Sequence, residues 1–270
     1  MSARIALRLL VSAALVVAVL PLAWTLLASI RVQPDNTRLP PVWSGPPSLD
    51  AYLAVREEQT FFWEQFGISL ALAAGTVVLA VSTGFLAAYS LSRSILRRRR
   101  LWVQMLLLLA IIPPVAYAAP MRELLWRIGL LDTFLGLLLA ESALYAPLAA
   151  YILVGYLGDL PYDYDDSARL DGADLGVILR RVIAPLLAPG LVAAAVIVFA
   201  LSWNQYVLPL LLTDTRVRVL PVLMRDLITL ERDFEWDNAA VVIILSLIPA
   251  AGVVAASHQL LERLRFGLDE

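Results

Sequence analysis

Six long stretches of this chain carry no Asp, Glu, Lys or Arg and are predominantly apolar: residues 9–30, 67–92, 101–121, 142–158, 182–213 and 238–261. A helix needs roughly 20 such residues to cross a bilayer. The pattern therefore predicts six transmembrane helices in one all-α domain over residues 1–270, because intrahelical hydrogen bonding satisfies the backbone within lipid. Polar interruptions fall between the runs. The most patterned is the 159–185 loop, where Pro161 suits the first turn of a short helix, Gly172 its left-handed stop and Asp174 the cap of the next helix.

Composition agrees, with 60% hydrophobic and 16% charged residues. Arg4 and Arg8 before the first run also fit a signal peptide, but that run is longer than a signal core and lacks a good cleavage site, so a retained helix is expected. Arginine is the only strong base present. Arg97, Arg98, Arg99 and Arg100 occupy the short loop between the second and third runs, and positive charge there resists translocation. Both termini are then expected on the cytoplasmic side of a multi-pass cell-membrane protein. The 159–185 loop falls on the same side, and the arginine cluster reads as a topological signal rather than a nucleic-acid patch.

The chain lacks a lysine, so it cannot build a P-loop, and it lacks cysteine, which excludes disulfides and thiolate metal sites. His258 is the sole histidine and reads as an interfacial or helix-packing residue, leaving no catalytic or metal set. Asp163, Asp165, Asp166, Asp171 and Asp174 lack the order of a calcium loop. They are expected to be solvated, docking or capping residues.

Spacing within the acidic segment is specific. Asp166-Ser167-Ala168 is followed after two residues by Asp171-Gly172-Ala173 and later by Pro185-Leu186. This register resembles the EAA loop of ABC-importer permeases, with Asp166 and Ser167 where Glu and Ala are usual. Ala87-Ala88-Tyr89-Ser90-Leu91-Ser92-Arg93, Ile111-Ile112-Pro113-Pro114, Ile128-Gly129-Leu130-Leu131-Asp132-Thr133 and Ser202-Trp203-Asn204-Gln205-Tyr206 extend the likeness to carbohydrate-importer permeases of the maltose-type G subunit, over about residues 66–267. Ile68 and the closing Phe266-Gly267-Leu268-Asp269-Glu270 depart from that pattern.

The resemblance implies the type I ABC importer permease fold and a non-catalytic transport subunit importing a sugar or oligosaccharide. Asp166, Ser167, Ala168, Arg169, Leu170, Asp171, Gly172 and Ala173 would dock an ATPase, and small side chains at Ser167 and Ala168 would let the docking groove approach closely. The implied partners are a second, similar permease, two ATPase subunits binding ATP and Mg, an extracytoplasmic solute-binding protein and the lipid bilayer. This chain itself would hold no cofactor. Leu220, Pro221 and Val222, in the 214–237 external stretch, match an element that contacts the binding protein.

Within the fifth run, Trp203, Asn204 and Tyr206 are candidates for the translocation pathway, since amides bond sugar hydroxyls and aromatic faces stack on pyranose rings. Hydrogen bonding between helices explains them equally well. Glu141 is read either as a second pathway residue or as a boundary residue of the fourth span. A permease for another small polar solute, such as a phosphate ester or peptide, and a secondary transporter are the alternatives. The latter calls for paired ionisable residues deep in several spans, and these are sparse.

Overall fold

The computed structural model describes residues 3–30, 34–35, 42–43, 46–57, 60–94, 98–224 and 236–266. The helices are α1 (Ala3–Ser29), α2 (Asp50–Glu57), α3 (Thr60–Arg93), α4 (Arg99–Ala110), α5 (Pro114–Arg127), α6 (Phe134–Gly158), α7 (Asp163–Leu170), α8 (Leu175–Leu186), α9 (Ala188–Trp203), α10 (Val207–Leu212) and α11 (Trp236–Phe266). A two-residue antiparallel ladder, β1 (Pro34–Asp35) with β2 (Val42–Trp43), is the one sheet among the described residues. Contacts divide the chain into two compact units, Met1–Phe66 with Leu223–Ile248, and Gly67–Val222 with Pro249–Glu270.

In the first unit, Ser29 Oγ at the end of α1 lies 2.9 Å from the Tyr52 hydroxyl on α2. Ala51, Val55 and Phe62 are buried, and the Phe62, Trp63 and Phe66 rings meet at centroid distances of 5.0 to 6.0 Å. In contrast, α1 leaves Leu7, Leu10, Val17 and Leu20 exposed. In a bilayer such a surface meets acyl chains rather than water.

The second unit holds the main core, built from α3, α6, α8 and α9 with α4, α5 and α10 against them. Here α3 passes very close to α6. A Cβ on Gly84 would lie 2.8 Å from Ala149 Cβ and 2.8 Å from the Ala150 backbone nitrogen. Absence of a side chain therefore permits a van der Waals contact between backbones, the main source of helix association in lipid.

Four single helices, over Leu7–Ser29, Phe62–Arg93, Phe134–Gly158 and Asp237–Glu262, are long and apolar enough to span a membrane. The remaining two expected spans are not straight. Within 101–121 the chain turns by 89° between α4 and α5. Pro114 disfavours helical geometry at Pro113, which is extended at ψ 134°, and Pro114 then opens α5. Within 182–213 a second bend of 81° separates α8 from α9. Pro185 and Pro189 each remove an amide hydrogen from the helical ladder around Leu187, and a π-helical turn at Ile178–Ile183 precedes them. The run then stops at Trp203 and resumes as α10. The expected fourth span, 142–158, starts earlier, at Phe134, where Thr133 caps the helix by accepting from the Gly136 amide at 3.0 Å.

Candidate functional site: docking helix and membrane cavity

The acidic segment forms the expected helix. Asp163, Asp165 and Asp166 lie in the first turn of α7, favourably placed at the positive end of its dipole. Its C-terminus closes as a Schellman motif: the Ala173 amide donates to Ala168 O and the Gly172 amide to Arg169 O, both at 3.0 Å, with Gly172 at φ +80°. Asp174 Oδ1 then caps α8 by accepting from the Val177 amide at 2.8 Å. Pro161 sits just before the helix rather than in its first turn.

Burial sorts the docking candidates. Ala168 points into the core, and Ala173 is half-buried. Asp166, Ser167, Arg169, Leu170, Asp171 and Gly172 are exposed, with Leu170 reaching 89%. Tyr162, Tyr164 and Leu175, from the same segment, are also exposed.

Asp165 corrects the expectation of a solvated, docking or capping acid. It is 3% exposed, and its Oδ2 lies 2.9 Å from Arg93 Nε at the end of α3, without the alignment of a hydrogen bond. Tyr89, one turn before Arg93, donates its hydroxyl to Asp165 Oδ1 at 2.6 Å. Arg93 also donates to Leu160 O at 3.1 Å and stacks over the Tyr162 ring at 4.5 Å, while the Tyr162 hydroxyl donates to Ser92 O at 2.8 Å. Five interactions thus tie α7 and its entry loop to one end of α3. Their signal in the sequence was a tyrosine and an arginine at i and i+4 closing an apolar run, on one helix face.

A cavity of about 560 Å³ opens where α4 breaks from α5. Its lining comes from the break (Ala110 to Pro114), from α6 (Leu144, Tyr145, Leu148) and from the end of α9 (Ala200, Leu201, Asn204, Gln205), and none of these side chains is charged. Asn204 therefore lines it as one of the expected pathway residues. Trp203 instead is buried and stacks on Phe199, with ring centroids 6.0 Å apart, and Tyr206 is half-buried outside the lining.

Gln205, part of the same motif but not among the expected pathway residues, also lines the cavity. Its Nε2 donates to the Tyr145 hydroxyl at 2.6 Å and its Oε1 accepts from the Val207 amide at 3.1 Å, capping α10. Glu141 is no boundary residue. It lies inside α6, fully buried, with Oε2 accepting from Ser202 Oγ on α9 and from Thr76 Oγ1 on α3 at 3.5 Å.

Asp132, between α5 and α6, organises the opposite end of this unit. At φ 56° it occupies the left-handed region that Asp tolerates. Its carboxylate accepts from the backbone amides of Asp214 (2.9 Å), Thr215 (3.2 Å) and Arg216 (3.2 Å). Partial burial by itself would raise its pKa. The backbone donors from Asp214 to Val217 outweigh this and hold the carboxyl below its ordinary value of 3.8. Further along, Leu220 is buried, with its amide donating to Ser69 Oγ at 2.8 Å, while Pro221 and Val222 are half-buried at the start of a helical stretch over 220–224. Residues 225–235 of the external stretch, Arg97 and the closing residues 267–270 lie outside the described residues. His258 is exposed on α11, 3.6 Å from Glu262.

Several apolar helices long enough to span a membrane, two of the expected spans bent, define a multi-pass membrane protein. Residues 80–266 match the family model for the inner membrane component of binding-protein-dependent transport systems, and the chain belongs to that family. It is 39% identical over 144 residues to the trehalose transport system permease protein SugB of Mycobacterium tuberculosis, a match spanning 53% of this chain and about half, 53%, of that relative. Identity to the sulfoquinovosyl glycerol transport system permease protein SmoH of Agrobacterium fabrum is 28% over 236 residues, covering 86% of this chain and 81% of that relative. The fold matches a chain in the structure of a bacterial ABC transporter involved in the import of the acidic polysaccharide alginate, with TM-score 0.76, 20% identity and coverage of 94% and 95%.

Proposed function

We propose that the chain is the permease subunit of an ATP-driven importer for a sugar or oligosaccharide, with both termini cytoplasmic. It pairs with a second permease, two ATPase subunits that bind ATP and Mg, and an extracytoplasmic binding protein. The observation that carries this reading is α7, whose Asp166, Ser167, Arg169 and Leu170 face outward while Ala168 and Asp165 anchor the helix to the core. ATPase closure would push on this surface. The anchored helix would pass the push to α3, and Ala173 and Gly172 would keep its exit rigid. Leu220, Pro221 and Val222, held in position through Ser69 and the Asp132 clamp, would lie on the side that receives the binding protein.

The cavity supports the solute class. Its polar groups are a phenol and two amides, which match neutral hydroxyls, and the absence of charge along its lining disfavours a phosphate ester. Asn204 is assigned to the pathway with Gln205 beside it, while Trp203 and Tyr206 support the turn that presents them. Two of the relatives are named for the transport of sugar-based solutes, trehalose and sulfoquinovosyl glycerol.

The test is reconstitution of the complete complex in liposomes, followed by ATP hydrolysis and uptake with trehalose, maltose, glycerol 3-phosphate and a dipeptide. Stimulation by a sugar alone is expected. Stimulation by the phosphate ester or dipeptide alone would replace the sugar assignment, and failure to associate with an ATPase would overturn the whole reading.

A further inference from the structure

The end of α9 is held to α6 by two polar rungs. In the first, Ser202 Oγ donates to Glu141 Oε2, and in the second, Gln205 Nε2 donates to the Tyr145 hydroxyl at 2.6 Å. Glu141 and Tyr145 are separated by four residues, so they lie one above the other on one face of α6. Tyr145 also donates to Leu201 O at 3.4 Å, between the two rungs. The upper rung, with Leu201 and Asn204, belongs to the cavity wall. Glu141, in the lower rung, does not line the cavity.

A carboxyl group inside a membrane span is costly and persists where it organises something. Here a single oxygen, Oε2, takes hydroxyl donors from two other helices, Ser202 on α9 and Thr76 on α3. Three spans are thereby pinned at one atom. The second oxygen, Oε1, is buried and has no hydrogen-bond partner among the described residues, so the side chain's whole polar contact is spent on this junction. Because α9 ends one residue after Ser202, a rotation at Ser202 would carry Asn204 and Gln205 with it.

We propose that Glu141 is a positioning residue for solute recognition. It sets the rotation of the α9 terminus and so aims Asn204 and Gln205 at the cavity, without touching the solute itself. The inference rests on reading that cavity as part of the sugar pathway. It also implies that acceptor geometry is what matters at position 141, so glutamine, which keeps an oxygen at the same reach, should substitute and leucine should not.

The experiment uses the complete reconstituted complex carrying Glu141→Leu, Glu141→Gln or Ser202→Ala. Two readouts are combined: sugar uptake against concentration, normalised to assembled complex, and the distance between spin labels on Leu139→Cys of α6 and Ile197→Cys of α9, both exposed positions in a chain without native cysteine. Expected for Glu141→Leu is a half-saturating concentration raised about two- to tenfold, as for one lost neutral hydrogen bond, together with a shifted or broadened label distance. Glu141→Gln should restore both. Should Glu141→Leu fail to assemble, Ser202→Ala removes one hydroxyl alone and should raise half-saturation in the same direction. Wild-type half-saturation and label distance in Glu141→Leu, or in Ser202→Ala if the first does not assemble, would overturn the proposal, as would Glu141→Gln behaving like Glu141→Leu. Absence of sugar uptake by the wild-type complex would instead count against the sugar reading, while the label distance still tests the junction.

Discussion

Asp165 on α7 and Arg93 at the end of α3 form a buried ion pair at 2.9 Å, with side chains 4% and 7% exposed. Ion pairs of this kind contribute little net stability against an apolar pair, but losing one partner leaves an unpaired buried charge, at a cost of about 3–5 kcal/mol. The contact is therefore expected to fix α7 against α3 rather than to add net stability.

Asp165→Ala should accordingly lower the amount of assembled complex, and the complex that remains should hydrolyse ATP with little uptake, because α7 moves without α3. Replacing both residues, Asp165→Leu with Arg93→Met, should recover assembly by removing the unpaired charge. Uptake per ATP hydrolysed separates the two effects. A ratio equal to wild type in the single variant would show that the contact plays no part in coupling.

Gly172→Val places a β-branched residue at φ +80°, a left-handed conformation that costs about 1–2 kcal/mol even for ordinary side chains. No atom lies within 4 Å of the position a Cβ would take, so the penalty is conformational rather than steric. The protein should insert normally and the Schellman closure should fail, reducing uptake at unchanged membrane abundance. Gly172→Asn should be milder, since asparagine tolerates this region. Equal, wild-type uptake by both variants is the result that refutes the assignment.

Asn204→Leu keeps the approximate size of the side chain but removes its donor and acceptor from the cavity wall. One neutral hydrogen bond to solute, worth about 0.5–1.5 kcal/mol, predicts an uptake half-saturation raised about two- to tenfold. Asn204 Nδ2 also donates to Ala200 O at 2.8 Å. If that local bond is its only role, complex recovery should fall while the saturation curve, normalised to assembled complex, stays where it was.

Asp132 gives a pH prediction with a defined sign. Its carboxyl pKa lies below the ordinary value of 3.8 in the folded chain, so its hold on the 214–217 backbone is present above that value and is lost as pH falls through the folded value. Amide hydrogen exchange of the Thr215 and Arg216 backbone, corrected for intrinsic rate, should remain slow from pH 7 down to about 4. Asp132→Ala should exchange fast throughout this range. Protection in that variant equal to wild type would show that the segment is held by other contacts.

Much of this architecture is local in origin and was legible from residue order. Apolar runs of sufficient length specify membrane helices whatever they pack against, since lipid leaves the backbone no other partner. The α7 stop at Gly172 and the cap at Asp174 likewise depend on residues only a few positions away, so spacing alone located them. What sequence could not supply was direction and distance between helices. The 182–213 run contains nothing charged, yet prolines and a polar turn divide it into three segments. Glu141 fitted a span boundary, and Asp165 water, because their partners are Ser202, 61 residues away, and Arg93, 72 residues away. Whether a carboxyl group faces solvent, a cavity or another helix is set by which spans lie beside it. That choice is made by packing between distant segments, and only the tertiary structure decided it.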